Sequence, residues 1–291
     1  MDYHEDRFCD HSLIIEDNNG RPLALFPATE QIEHSLIHSH GGLTYGGLLL
    51  SPNTTTLQVI IILRELIVPY YTQLGFKKLF IKPLPYIYHK TPSEEQLYAL
   101  FLLNAKLVAR SASSCIDLQK PLHFSTLRRR KYNRAIKNQL HFVEGGDLKL
   151  VWELITEQLQ EKHCVLPVHS YEEIAMLCQK FPQNIKLFTT LDSANCLQAA
   201  TLLFYTETAI HAQYIITSPE GRNTGALDFL FIELLNRIQQ GNLNIDTVRY
   251  FDFGISTENG GQKLNEGLIF QKEGFGARTV VYDQYAINLI P

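Results

Sequence analysis

The sequence predicts an α+β protein, a mixed and mostly antiparallel sheet flanked by helices, organised as two domains. Three observations carry that expectation. Strand-like runs alternate with helical patterns along the whole chain. Two pairs of strand runs are joined by hairpin turns, Asp17-Asn18-Asn19-Gly20 and Asp192-Ser193-Ala194-Asn195. The chain has 291 residues, 45% hydrophobic and 19% charged, more than one typical domain of about 100–200 residues holds. That composition also excludes disordered, collagenous and coiled-coil chains.

The elements follow in order. Ser12 to Ile15 and Pro22 to Pro27 form a hairpin across the first turn. A His- and Gly-rich stretch, His38 to Gly47, precedes Leu48 to Leu50, and Ser51-Pro52-Asn53-Thr54 announces a helix to about Thr72. Lys78 to Lys82 is a strand. Ser93 and Gln96 have capping-box spacing for a helix through Leu103, and Leu107 to Leu118 is a further strand. Ser125 caps a helix to about Asn138. Its apolar positions are Leu127, Tyr132, Ala135, Ile136 and Leu140, leaving Arg128, Arg129, Arg130, Lys131, Arg134 and Lys137 on the other faces. Glu144-Gly145-Gly146-Asp147 reads as a domain junction. Beyond it come helices from Leu148 to Gln160 and from Tyr171 to Lys180, then strands Asn184 to Thr190, Leu197 to Thr206 and Ala209 to Thr217. A loop from Ser218 to Thr224 opens a helix from Gly225 to Gln240, followed by a strand from Thr247 to Phe253. A Gly-rich turn, a helix near Gly261 to Gln271 and a strand pair around Thr279 to Leu289 complete the chain.

Lys+Arg 26 against Asp+Glu 30 gives a net charge of −4, which argues against broad polyanion binding and leaves the 128–137 helix as one local basic cluster. Five cysteines, Cys9, Cys115, Cys164, Cys178 and Cys196, are widely spaced with no C-x-x-C pair, so neither a disulfide framework nor a structural zinc motif is expected. The acidic, polar start lacks the basic-then-apolar pattern of a secretory leader, and the most apolar run, Leu57 to Leu63, is broken by Arg64 and Glu65, short of the roughly 20 residues of a membrane span. A cytoplasmic protein without a membrane span is the expectation; oligomeric state is not readable.

The order of the second half resembles the acyl-transferase fold of the GNAT superfamily. SPEGRNTGAL (218–227), RYFDFGIST (249–257) and LNEGLIFQKEGFGAR (264–278) are together similar to its FemABX-like branch. In that branch an Asp-Phe-Gly-like strand end, here Asp252-Phe253-Gly254, is followed by a helix and a Lys-x-x-Phe-Gly segment, here Lys272 to Gly276. The helix LRRRKYNRAIKNQ (127–139) resembles the branch's R-x-x-I-K helix. The resemblance covers about residues 120 to 285. It implies two tandem GNAT-like domains: a degenerate copy over 1–145, to which a C-terminal strand (279–291) would cross back, and an acyltransferase domain over 146–278. FemABX enzymes that build peptidoglycan bridges take aminoacyl-tRNA as donor and often carry a coiled-coil arm, whereas GNAT enzymes take acyl-CoA. No long heptad segment is present here. The expected activity is therefore acyl transfer from acyl-CoA (acetyl-CoA), without a metal, to an amine of a sugar, nucleotide-sugar or cell-wall-type precursor of the cell envelope. Aminoacyl-tRNA-dependent transfer and a catalytically inactive binding module are the alternatives.

Acyl transfer to an amine needs a grip on the donor, a polarised carbonyl, a deprotonated amine and a stabilised oxyanion. Arg222, Asn223, Thr224, Gly225 and Ala226 are the candidate donor-binding segment, because a Gly-rich turn at a helix start presents N–H groups to a pyrophosphate. They partly match the superfamily's Arg/Gln-x-x-Gly-x-Gly/Ala pattern and depart from it at Leu227; an ordinary helix cap is the rival meaning. Lys272 is the candidate for the oxyanion or a donor phosphate, against a surface lysine at a helix end. Asp252 is the leading general base or amine-orienting group, with Asp228 and Glu233 behind it, against a turn-forming carboxylate. Tyr214 either donates to a leaving thiolate or packs, and strand alternation places His211 on the opposite face. His40 and Tyr45, with Asp228, are candidate acceptor-binding residues. His34, His38 and His40 have the rival meaning of metal ligands, and the basic helix that of a contact for tRNA or a nucleotide or of a solvated face.

Overall fold

In chain order the elements are β1 (Leu13–Glu16), β2 (Pro22–Phe26), β3 (Thr29–Gln31), β4 (Leu36–His38), β5 (Leu49–Leu50), α1 (Thr56–Ile61), a π-helical segment (Ile62–Ile67), α2 (Val68–Gln73), β6 (Lys78–Ile81), a 3₁₀ turn (Tyr86–Tyr88), α3 (Glu95–Leu102) and β7 (Lys106–Asp117). Then come α4 (Thr126–Lys137), β8 (His141–Glu144), α5 (Leu148–His163), α6 (Tyr171–Lys180), β9 (Ile185–Leu191), β10 (Leu197–Tyr205), β11 (Ala209–Thr217), α7 (Pro219–Thr224), α8 (Ala226–Gln239), β12 (Tyr250–Ile255), β13 (Thr257–Glu258), β14 (Lys263–Leu264), α9 (Glu266–Glu273) and β15 (Arg278–Asn288). The computed structural model describes residues 7–31, 35–243 and 248–289, and the side chains of 162 and 163 are not among them. Among the described residues no helix is long and apolar enough to cross a membrane.

The chain divides into two compact units. One is Met1–Ala112 with Thr257–Leu264 and Val280–Pro291; the other is Ser113–Ser256 with Asn265–Thr279. The 144–147 turn lies inside the second unit.

The first unit holds a small sheet, β1-β2-β5, and the strand order β3-β4-β6-β15-β7. Its core stripe, Val59, Ile62, Leu63, Ile67 and Tyr71, recurs at helical spacing and packs against Phe26, Ile37, Leu79 and Ile81. Thr55 and Gln58 form the capping box that starts α1, slightly beyond the Ser51–Thr54 signal. The run widens to π geometry where Val68 N–H reaches back to the carbonyl of Leu63, beside Pro69, which has no N–H to give. The Ser93–Gln96 capping box is not formed. Gln96 is buried, and its carbonyl accepts the Leu48 N–H at 3.0 Å, so α3 starts at Glu95, with Glu94 at the N-cap and no side-chain cap bond. The expected C-terminal strand pair is one strand, β15, antiparallel to β6 with Tyr285 opposite Ile81.

The second unit has the order β7-β12-β11-β10-β9-β8. Its one parallel pairing among the described residues is β11 with β12. Alternation along β10 sorts the two faces. Ala199, Leu203 and Tyr205 meet α4 and α8, while Ala200, Leu202 and Phe204 meet α5 and α6. The Asp192–Asn195 hairpin turn is held by Asp192 Oδ1, which accepts the N–H groups of Ala194 and Cys196, both at 2.9 Å.

Two local readings change. Arg128 is not on the solvated face of α4: it is buried, with Nη1 2.7 Å from Asp228 Oδ1 and its guanidinium 5.6 Å from the centre of the Phe275 ring. Leu127 and Ile136, assigned to the apolar face, are exposed instead. The Ser218–Thr224 segment is a helix, capped by Ser218 Oγ on the Gly221 N–H and closed by Gly225 at φ +84°. Glycine is required at 225 because a Cβ would lie 2.4 Å from the carbonyl oxygen of Lys131. Gly225→Ala is therefore expected to lose about 2–3 kcal/mol in urea unfolding through strain plus backbone collision. Gly75→Ala, at a similar φ of +86° but with open space around it, is expected to lose about 1 kcal/mol; equal losses would show that the contact with α4 contributes nothing.

Candidate active site

Strand β12 carries Tyr250, Phe251, Asp252 and Phe253 because its aromatic residues bury well in the middle of a sheet, and Phe231 of α8 packs edge-on against Phe251 and Phe253 and tilted against Phe275. That aromatic packing fixes the strand, and the strand delivers Asp252. The pairing of β11 with β12 ends at His211 opposite Asp252, although β11 continues to Thr217 and β12 to Ile255. Two irregularities flank this point. In β11, Ala212 faces Leu203 and Tyr214 faces Leu202, so Gln213 is an extra residue. In β12, Asp252 faces Cys115 and Ile255 faces Ser113, and Gly254 takes φ +76°. The two parallel strands part here.

The Asp252 carboxylate is fully buried at the parting and accepts three donors. Ser113 Oγ–H lies at 2.5 Å, His211 Nδ1 at 2.8 Å and the Gly254 N–H at 3.1 Å. An ionised carboxylate only accepts, so in this pair Nδ1 is the donor. Ser113 and His211 were not singled out as site residues. Ser113 contacts Asp252 across 139 positions of chain, which local pattern cannot show. His211 was assigned to the face opposite Tyr214, but the extra residue at Gln213 reverses the alternation. Ile210 and Ala212 belong to the α4–α8 core while Tyr214 and Ile216 pack on the α5–α6 side, so His211 and Tyr214 share a face.

Between the parted strands lies a cavity of about 240 Å³, lined by Ile215 to Thr217, Phe253, Phe231 and Phe275 and carrying two cations, Lys272 and Arg222. Lys272 is buried, and Nζ donates to the carbonyl oxygens of Gly254 at 2.8 Å and Ile255 at 2.9 Å. Burial lowers its pKa to about 8, against the pull of the nearby Asp252. Arg222 is exposed and donates at 2.6 Å to Gln158 of α5, whose amide in turn donates to the Thr217 carbonyl at 2.7 Å. Gln158, buried and absent from the sequence-based candidates, thus ties α5 to the end of β11.

The other expected residues fall as follows. Asn223 is exposed and its carbonyl accepts Arg134 Nη1 at 3.2 Å; Thr224 hydrogen-bonds back to the Glu220 and Gly221 carbonyls; Ala226 is buried in the α8 core. The segment is thus a helical turn rather than an open Gly-rich loop, and Arg222 is the member that reaches the cavity. Asp228 does not line it. Its carboxylate turns to Arg128 and, at 3.9 Å, Lys131, and burial pushes its pKa up against the pull of those cations. Glu233 accepts the Tyr132 hydroxyl at 2.6 Å. Tyr214 packs edge-on against Trp152, with its hydroxyl 2.6 Å from His169 Nδ1, and is not among the cavity lining. In the first unit, His40 is buried beside Phe8, and Tyr45 packs on Tyr88 and Tyr282. His38 pairs with Gln31 and stacks on Phe80. His34, with Glu33, and the strand start at Thr247 lie outside the described residues.

No family model and no curated protein matches the chain by sequence. The fold has clear relatives among solved structures. FemX superposes with a TM-score of 0.63 at 10% identity over 97% of this chain and 88% of that one. L-PGS from Bacillus licheniformis gives 0.63 at 14% identity over 96% and 85%. A tandem GNAT protein from the clavulanic acid biosynthesis pathway gives 0.55 at 13% identity over 98% and 86%. The chain therefore has a FemABX-like, tandem GNAT-type fold with an open mixed sheet, as the resemblance implied.

The lowered pKa of Lys272 makes a testable demand. Between pH 8 and the ordinary lysine value of 10.5 the unfolded chain binds more protons at this position than the folded one. The stability of the wild type relative to Lys272→Met is therefore expected to rise with pH across that interval, by on the order of 1–3 kcal/mol. Urea unfolding of both proteins at pH 8 and pH 10.5 reads it, and a flat difference would place the ammonium in water.

Proposed function

We propose that the chain is an N-acyltransferase that binds the acyl end of acyl-CoA, acetyl-CoA in the simplest case, between β11 and β12. It transfers the acyl group to an amine of a sugar, nucleotide-sugar or cell-wall-type precursor. The observation that carries this reading is the parting of the two parallel strands after the His211–Asp252 pair, with a cation-bearing cavity lined by the strand residues beyond it, Ile215 to Thr217 and Phe253. A cavity of about 240 Å³ has room for an acyl group and thioester arm, with the nucleotide end left outside near Arg222.

The chemistry follows from the groups present. The acceptor nitrogen attacks the thioester carbonyl, a C–N bond forms, the C–S bond breaks, and the amine proton passes to a base as the thiolate leaves and is protonated. His211 serves as that base: Asp252, held by Ser113 and Gly254, orients the ring and stabilises the imidazolium. Asp252 is thereby a positioning residue, in place of the direct base suggested by its strand-end location. Lys272 holds positive charge against the cavity, where it stabilises the oxyanion at low dielectric cost. Tyr214 is assigned a packing role.

A second donor is favoured by one observation. Arg129, Arg130, Arg134 and Lys137 form an exposed cationic face on α4, and Arg134 bonds the backbone of α7, the helix that carries Arg222. A polyanionic donor, aminoacyl-tRNA, fits that face, and one further structure with this fold, at 11% identity, is described as the C-terminal domain of a putative lysylphosphatidylglycerol synthetase from Agrobacterium fabrum. With an aminoacyl-tRNA donor the bond broken in this chain's reaction would be the ribosyl ester C–O, and the ribose hydroxyl would take the proton.

Calorimetric titration with CoA and acetyl-CoA at fixed modest salt decides between donors. One-site binding, weakened about tenfold by Arg222→Ala, is the expected result. No binding at about millimolar ligand, a free energy of roughly −4 kcal/mol or weaker, with transfer from charged tRNA that a charge-reversed α4 abolishes, would overturn the CoA reading in favour of the tRNA one; failure of both leaves a binding module. In the active assay, His211→Gln and Asp252→Asn are each expected to lower kcat/KM by about 10²–10⁴-fold with the fold retained. Full activity in His211→Gln would remove the imidazole from the mechanism.

A further inference from the structure

The geometry points to a divalent-metal site in the first unit, suited to zinc, built from Cys9, His11 and Glu30. The chain from Cys9 to His11 runs antiparallel to Ala28–Glu30: Asp10 bridges Thr29, the Glu30 N–H donates to the Cys9 carbonyl at 3.1 Å, and the His11 N–H donates to the Ala28 carbonyl at 2.9 Å. In that register Cys9 lies opposite Glu30, and His11 two residues along lies opposite Ala28, so the four side chains share one face. Three corners of this square carry ligating atoms, and those atoms all lie within 4.8 Å of one another. His11 Nε2 is already 3.0 Å from Glu30 Oε2. Ligands about 2.0–2.3 Å from a tetrahedral ion stand some 3–4 Å apart, so a small inward movement of the Cys9 sulfur completes the set.

The surroundings support the assignment. His11 is oriented by an edge-on contact with Phe76 at 5.3 Å, and its backbone is anchored because its carbonyl accepts the Tyr71 hydroxyl. Asp10, between the two ligands in sequence, turns away to accept the Ser12 N–H and hydroxyl and does not compete. The fourth corner, Ala28, offers only a methyl group, which leaves one coordination position for water or another small donor. A thiolate, an imidazole and a carboxylate together select a borderline-soft ion such as zinc over magnesium or calcium. Binding would replace the His11–Glu30 hydrogen bond with two metal bonds and would clip residues 7–12 to β3, stabilising the first unit by mass action. This set is distinct from the His34, His38 and His40 reading.

The test uses full-length protein stripped with a chelator, and the probes are Zn²⁺ and Co²⁺ alone. One equivalent of Zn²⁺ is expected to bind with a dissociation constant in about the micromolar range or tighter and to raise the melting temperature. Cys9→Ser and His11→Ala are each expected to weaken it by about a hundredfold and Glu30→Gln by about tenfold. Co²⁺ should give a thiolate-to-metal charge-transfer absorption that Cys9→Ser alone removes among single cysteine variants. Cys9 is exposed and His11 keeps its backbone bonds, so circular dichroism should show both variants folded; were His11→Ala to unfold, Cys9→Ser with Co²⁺ still decides. Absence of binding at about 100 µM Zn²⁺, or a Co²⁺ thiolate band that survives Cys9→Ser and is lost with Cys164 or Cys196, would overturn the site. Neither readout depends on transferase activity.

Discussion

A carboxylate without access to water has to be supplied with donors, and the arrangement around Asp252 is organised by that requirement. Ser113 comes from one neighbouring strand, His211 from the other, and the third donor is the backbone just beyond Asp252 itself. Each donor has a consequence. The Gly254 N–H reaches back only because the chain turns through positive φ there, and that turn aims two carbonyl groups at Lys272. His211 can reach it only where β11 and β12 still lie side by side, which sets the last paired position, and the cavity is lined by strand residues beyond it, Ile215 to Thr217 and Phe253. A Cβ at 254 would stand 3.3 Å from the imidazole, so the same glycine also leaves the ring its place. Loss of the carboxylate would leave three donors and a buried ammonium without their shared counter-charge.

Buried charge is balanced in a second place by the same logic. Arg128 and Asp228 meet between α4 and α8 at 2.7 Å, with almost no exposure on either side. Such a pair adds little net stability, because desolvation of two ions offsets their attraction, but removal of one partner strands the other. Its effect is to hold α4 against the start of α8, where Lys131 touches Gly225, and against Phe275 in the segment that carries Lys272. Distance from the cavity therefore does not make this pair irrelevant to it.

The fold was legible in the sequence wherever the signal was local. Hairpin turns with Asp at the first position and Ser125 before a helix are each decided within a few residues, and the FemABX-like segments put Asp252 near a strand end, while Lys272, expected just past a helix ending near Gln271, lies inside α9. Legibility ended where pairing across the sheet takes over. One extra residue at Gln213 inverted the face of His211, and no periodicity count contains it. Arg128 reads as solvated because its partner lies 100 positions away, and Gln96 as a cap because its acceptor role toward Leu48 spans 48 positions. The donor segment around Gly225 has the composition of a phosphate loop, yet its glycine answers to the backbone of α4.

The path of the chain through the first unit has a consequence for the order of folding. Strand β15 sits between β6 and β7 in that unit's sheet, yet it is made after both of them and after the whole stretch from Ser113 to Ser256. Until it arrives, β6 and β7 each present an unpaired edge, which is the feature that promotes association between chains. The second unit meets no such delay: all its strands but the first residues of β15 are made before residue 256, and α9 follows at once. During synthesis the unit that carries the cavity can close its sheet first, while the other waits for β15.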